Sequence, residues 1–151
     1  MIARPLAAAV LAGAFMFVSP VFAASPEVYT GRFSSLAVDG YDPVAYFEEG
    51  APVKGSKDYS YDYNGATWRF SSQENLETFK ADPAAYAPQY GGYCAWAVSQ
   101  GYTAPGNPDN WSVRGGKLYL NYNDKVQADW LKDPDGFIEK ADANWPGVLS
   151  K

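Results

Sequence analysis

The stretch YGGYCAW, Tyr90 to Trp96, holds the single cysteine of the chain, Cys94, behind two glycines and among three aromatic rings. The chain contains no histidine. A cysteine that attacks a substrate needs a base to take its proton, and imidazole is the usual one. Lysine or a carboxylate can substitute, but no spacing here points to a pair, so catalysis is not expected. A structural zinc site needs about four thiolate or imidazole ligands, and one sulfur cannot supply them. Three roles for Cys94 stay open. As a small apolar side chain it would pack in the core, where free cysteines are often found. As a working thiol it would sit in the first turn of a helix over Tyr93 to Gln100, where unpaired N–H groups favour the thiolate. In that role it is the one candidate metal ligand, able to hold copper or another soft metal only with a partner or a second copy of the chain. As an odd cysteine it could also join two chains.

Tyrosines are the next resource. Tyr41, Tyr46, Tyr86, Tyr90, Tyr93 and Tyr102 flank one repeated segment, and some are candidates to line a pocket with Trp96. An aromatic-walled concavity suits a small apolar or planar ligand; the plainer alternative is that the rings only pack. The candidate binding set is Cys94, Tyr90, Tyr93, Tyr41, Tyr46 and Trp96. Oxygen-rich loops at DGYD, NPDN and NYND lack the alternating spacing and closing glutamate of a calcium loop, and turn or capping roles account for them.

These residues need elements to position them, and the clearest regularity is a repeat. Tyr63 to Tyr86 aligns without gaps against Arg114 to Phe137, with Gly65 on Gly116 and Asp82-Pro83 on Asp133-Pro134. Trp68 falls on Tyr119, Phe79 on Trp130, and Tyr86 on Phe137. Tyr59, Tyr61 and Tyr63 alternate with small or polar residues, as on a half-buried strand. Asn64-Gly65 supplies a type I′ turn, and Ala66 to Phe70 returns. Ser71 with Glu74 reads as a capping box for a helix starting near Ser72, with Leu76 and Phe79 inward. The second copy runs from Trp111 to Arg114, turns at Gly115-Gly116, returns over Lys117 to Tyr122, and enters a helix capped by Asn123. Gly101 to Asn110 reads as loop. The expected fold is α+β, with two duplicated strand–turn–strand–helix units, about 59–86 and 111–137, sharing one core.

Residues 1–23 have the anatomy of a signal peptide: Arg4, an apolar run from Leu6 to Val18, a Ser-Pro break, then Val21-Phe22-Ala23 with small or β-branched residues at the positions a signal peptidase reads. The run is shorter than the roughly 20 residues that span a bilayer. The expectation is cleavage near Ala23, export to the periplasm or outside the cell, and no stable membrane insertion afterwards. Residues 24–35 read as a linker and 36–148 as one domain. The chain carries a formal charge of −5, and loss of Arg4 makes it more acidic. An acidic surface argues against nucleic acid as a partner; an unidentified protein or small ligand remains.

DGYDPVAYF, YNGATWRFSSQENLETFKADPAAYAPQYGGYCAWAV and GGKLYLNYN together resemble an exported YHS domain-containing protein, over about Leu36 to Trp145. The resemblance implies a binding or accessory module without catalysis, of a kind associated with metals. Metal-associated relatives carry cysteine where this chain has Ala45 and Ser71, so their metal chemistry does not transfer with the fold. Two rivals accompany that reading: an interaction scaffold for a membrane redox or metal-transport partner, and a thiol redox protein using Cys94.

Overall fold

The structure, a computed structural model, describes residues 13–14, 16–19 and 23–151. The leader expected over 1–23 falls mostly outside the described residues. Among those described, no helix is long and apolar enough to cross a membrane.

A short helix, α1 (Ala45–Glu48), leads into a hairpin of β1 (Ser56–Tyr63) and β2 (Ala66–Phe70). Asn64 and Gly65 turn the hairpin at φ 51° and 78°, the pair of positive values that a type I′ turn requires. Along β2 the alternation works as expected: Ala66, Trp68 and Phe70 are buried while Thr67 and Arg69 are half-buried. Helix α2 (Gln73–Ala81) follows, and its cap differs from the expected one. Ser72, not Ser71, accepts the N–H of Asn75, at 3.1 Å. Ser71 is drawn inward by a carboxyl group described below. Asp82 closes α2 and Pro83 opens α3 (Pro83–Tyr86), where the fixed φ of proline suits a first helical residue.

The second unit repeats this plan with α4 (Ala95–Ser99), β3 (Asn107–Arg114), β4 (Lys117–Asn121), α5 (Asp124–Trp130) and α6 (Pro134–Asn144). Asn123 caps α5 as expected, accepting the N–H of Val126 at 2.9 Å. Strand β3 begins at Asn107, so the last part of the expected 101–110 loop is strand. Both hairpins slip at matching places. Ser56 pairs with Phe70 and then Ser60 with Arg69; Asn107 pairs with Asn121 and then Trp111 with Leu120.

The duplication also reaches further upstream than the sequence repeat. Val38, Asp39 and Gly40 have φ of 51°, 49° and 80°, and Tyr90, Gly91 and Gly92 have 58°, 61° and 84°. Each left-handed turn is closed by a tyrosine N–H: Tyr41 to Val38, and Tyr93 to Tyr90. Next, the N–H of Asp42 donates to Val53 at 2.8 Å, and that of Cys94 to Ala104 at 2.8 Å. Tyr41 bridges Lys54, and Tyr93 bridges Pro105. YGGYCAW is therefore the second copy of VDGYDPV, and Cys94 is the counterpart of Asp42.

Two buried clusters hold the units together, and β4 belongs to both. Its Leu118 and Leu120 pack with Trp68, Phe70 and Phe79 of the first unit, while Tyr119 packs with Tyr90, Trp130 and Val148. That explains why β4 is buried on both faces. The stretch expected as linker is tied down too: Tyr29 N–H donates to Gly91, Ser25 N–H to Leu149, and Val28 is buried.

Candidate functional site

Asp42 is completely buried, a position that an acid holds only when its oxygens are satisfied. Here five donors do so. The N–H groups of Val44 (2.8 Å) and Ala45 (3.3 Å) meet Oδ1; the N–H of Ser71 (2.9 Å), its Oγ (2.7 Å) and Asn75 Nδ2 (2.7 Å) meet Oδ2. The donors come from the entry to α1, the end of β2 and the first turn of α2. One carboxyl group thus fastens the hairpin to the elements on either side of it.

At the matching place in the second unit, Cys94 is 1 % exposed. The backbone N–H groups of Ala97, Tyr122 and Trp96 lie close enough to favour its thiolate, although the side chain takes no cap hydrogen bond, and these are the counterparts of Ala45, Ser71 and Val44. Burial pushes the thiol pKa up, and the three N–H groups pull against that rise. Its S–H donates to Asn121 Oδ1 at 3.6 Å, and Oδ1 also accepts the N–H of Trp96 at 3.1 Å. Asn121 is wholly buried, yet its Nδ2 has no partner among the described residues. Cys94 occupies the N-cap position of α4 without a side-chain cap bond, and not the first turn in which the working-thiol reading set it. Since α4 is a single short turn, the neighbouring N–H groups matter more than any helix dipole.

The sulfur forms part of the wall of a pocket of about 150 Å³, shared with Trp96, Ala97, Tyr102, Ala104, Tyr122 and Val126. Trp96 and Tyr102 meet edge to face, with centroids 6.3 Å apart. Tyr102 and Tyr122 are about half exposed, at 48 % and 49 %. Larger hollows lie over the first hairpin turn and beside Tyr29 and Asp39, but neither holds the cysteine.

Of the other expected binding residues, only Trp96 joins Cys94 here. Tyr46 is buried against Trp111 and donates its hydroxyl to Pro108 at 2.7 Å. Tyr90 donates to Asp142 at 2.8 Å, and Tyr93 to Pro26 at 2.8 Å. Burial raises the pKa of all three phenols. Tyr41 is half-buried against the first cluster. Asn121, Tyr122 and Val126 are not in the candidate binding set, although the repeat sets Asn121-Tyr122 opposite Phe70-Ser71.

The side chains present do not suit a thiophilic metal. Ala45 and Ser71, where the resemblance set cysteines of metal-associated relatives, both meet Asp42, whose oxygens are already engaged. Among the described residues, no three His, Cys, Asp or Glu side chains gather. A sulfur as buried as Cys94 is also poorly placed to share an ion with a second molecule.

A duplicated α+β fold of two hairpins, each followed by helices, defines the class of this protein. Residues 44–90 match the family model of the YHS domain, and the chain carries a YHS domain there, over most of its first unit. Neither the curated proteins nor the solved structures include a significant match. Cys94 and its pocket lie beyond the matched residues.

Proposed function

We propose that this chain is a non-catalytic accessory protein whose second unit binds a small apolar or aromatic molecule in the pocket beside Cys94. The observation that carries this reading is the pocket itself, where Cys94, Trp96, Tyr102, Tyr122 and Val126 meet around about 150 Å³. An apolar cavity of roughly that size accepts a molecule as small as benzene. It is far below the several hundred Å³ that enclose drug-sized ligands, so haem or a large quinone is not the occupant. The thiol beside it is a weak nucleophile at neutral pH, because burial favours its protonated form. Recognition without bond-making is the consistent role. The acidic chain and its leader-like N-terminus fit an exported protein, and export belongs to this same proposal.

Phenol is a suitable probe, because its ring fits the volume and its binding should change Trp96 fluorescence. Saturable binding to the full chain is expected, as is its loss in Val126→Trp, which fills the cavity. Quenching that never saturates, or that survives Val126→Trp, would overturn the reading. Cuprous ion added in parallel tests the metal alternative: affinity that depends on Cys94 would restore the sulfur as a ligand.

A further inference from the structure

Asp42 and Cys94 occupy the same place in two copies of one unit, yet only the first has a side chain that uses its surroundings fully. Around Asp42, two successive N–H groups meet one oxygen, while Ser71 and the Asn75 amide meet the other. Around Cys94, the amide of Asn121 lies against the sulfur at 3.6 Å, and the N–H groups of Trp96, Ala97 and Tyr122 stand where those of Val44, Ala45 and Ser71 stand around Asp42, near enough to favour a negative charge. A thiol accepts hydrogen bonds only weakly. The N–H groups of Ala97 and Tyr122 are thus poorly matched, since that of Trp96 is bonded to Asn121 Oδ1, and the wholly buried Asn121 Nδ2 has no partner among the described residues. A buried amide donor without a partner calls for an acceptor close by.

We propose that Cys94 is an oxidation site whose stable product is the sulfinate, the sulfur counterpart of the Asp42 carboxylate. The product has two acceptor oxygens on the atom attached to Cβ, as aspartate does. One oxygen would take the N–H groups of Trp96 and Ala97. Releasing Trp96 from Asn121 Oδ1 frees that amide to turn, so that Nδ2 joins Tyr122 N–H at the other oxygen. The final set of four donors then matches that of Asp42 except for the Ser71 hydroxyl, with Asn121 standing for Asn75.

The oxidant is a small neutral peroxide, which the adjoining pocket admits. Burial keeps most of the sulfur protonated, so it reacts slowly, through its minor thiolate form, which attacks one peroxide oxygen; an S–O bond forms and the O–O bond breaks. Hydroxide leaves and departs as water with the thiol proton. Sulfur is oxidised to sulfenic acid, and the peroxide is reduced. A second peroxide adds the second oxygen in the same way, releases a second water and leaves sulfinic acid, which gives its proton to solvent. The proposal does not depend on whether a ligand uses the pocket.

The test treats the folded full chain with hydrogen peroxide and maps the Cys94 peptide by mass spectrometry. The expected result is an adduct of two oxygens at Cys94 that accumulates and persists while the protein stays folded. Asn121→Leu should lose that arrest. No adduct before denaturant is added, or oxidation running directly to three oxygens, would overturn the proposal. A separate variant probes the surroundings without peroxide. Cys94→Asp should fold and melt at or above Cys94→Asn, because the site is built for two acceptor oxygens. A Cys94→Asp chain that is unfolded where Cys94→Ser is folded would also overturn it. Phenol binding plays no part in either readout, so failure here is distinct from failure of the binding reading.

Discussion

At the scale of single residues, Asp42 is the side chain on which most depends. Replacing it by asparagine keeps the shape but turns an amide donor toward groups that are themselves donors. Hydrogen bonds to a charged acceptor are worth about 1.5–3 kcal/mol each, and a buried group left unpaired costs its full desolvation. Asp42→Asn should therefore lose about 3 kcal/mol or more in urea unfolding, and a loss under about 1 kcal/mol would contradict the role given to it. The buried phenols act at the other end of the pH scale. Tyr46, Tyr90, Tyr93 and Tyr119 have raised pKa values, chiefly through burial. Below the ordinary tyrosine pKa of 10.0, both folded and unfolded chains keep these protons. Above it, the unfolded chain releases them first, so stability falls as pH rises. The raised Cys94 thiol adds to the fall from its own ordinary value of 9.0. Thermal midpoints should be flat near neutrality and drop toward about pH 11, with a shallower drop in Tyr46→Phe. A flat alkaline limb would refute this. None of these partners was readable beforehand, because Asp42 and Ser71 meet only after the hairpin closes.

At the scale of elements, local chemistry and tertiary demand can be separated. The hairpins were legible because Asn64-Gly65 and Gly115-Gly116 sit between alternating aromatic runs, a pattern that fixes turn and register together. The α2 cap was misplaced by one residue. Ser71 and Ser72 are equivalent by propensity, and only the pull of Asp42 on Ser71 decides between them. The start of β3 was hidden by NPDN, whose composition favours a loop although the strand pairing includes Asn107. The upstream half of the repeat was hidden differently. The stretch from Asp42 to its partner Val53 is one residue longer than that from Cys94 to Ala104, so a gapless alignment of the hairpins puts Cys94 opposite Pro43 instead of Asp42. Gly91 offers a test at this scale. It has φ +61°, and a side chain there would run into the backbone of Glu27. Gly91→Ala should cost about 3 kcal/mol or more, from strain and a backbone clash together. Gly50→Ala, at φ +64° with open space around it, should cost only about 1 kcal/mol. Equal losses in calorimetry would mean that the N-terminal segment does not dock as described.

At the scale of the whole molecule, the two units are not independent. Leu118 and Leu120 reach from β4 into the first cluster, and burying each contributes about 2 kcal/mol. Their sum is a large share of the roughly 5–15 kcal/mol that stabilises a whole domain. A fragment of residues 36–90, which spans the YHS match, should thus be unfolded alone by circular dichroism and gain structure when residues 91–151 are added. A fragment that melts cooperatively by itself would show that β4 is dispensable. The α+β class and the duplicated hairpins could be read from periodicity and turns. The pocket could not, since its walls come from α4, the 101–106 loop and the start of α5, which only folding brings together. The central claim is that the second unit carries the binding site, in the hollow beside its buried sulfur. Nitrogen-edited proton NMR of the full chain during phenol addition tests it most directly. The predicted result is saturable shifts confined to Trp96, Ala97, Tyr102, Ala104, Tyr122 and Val126. Shifts centred on the first hairpin, or none that saturate, would contradict it.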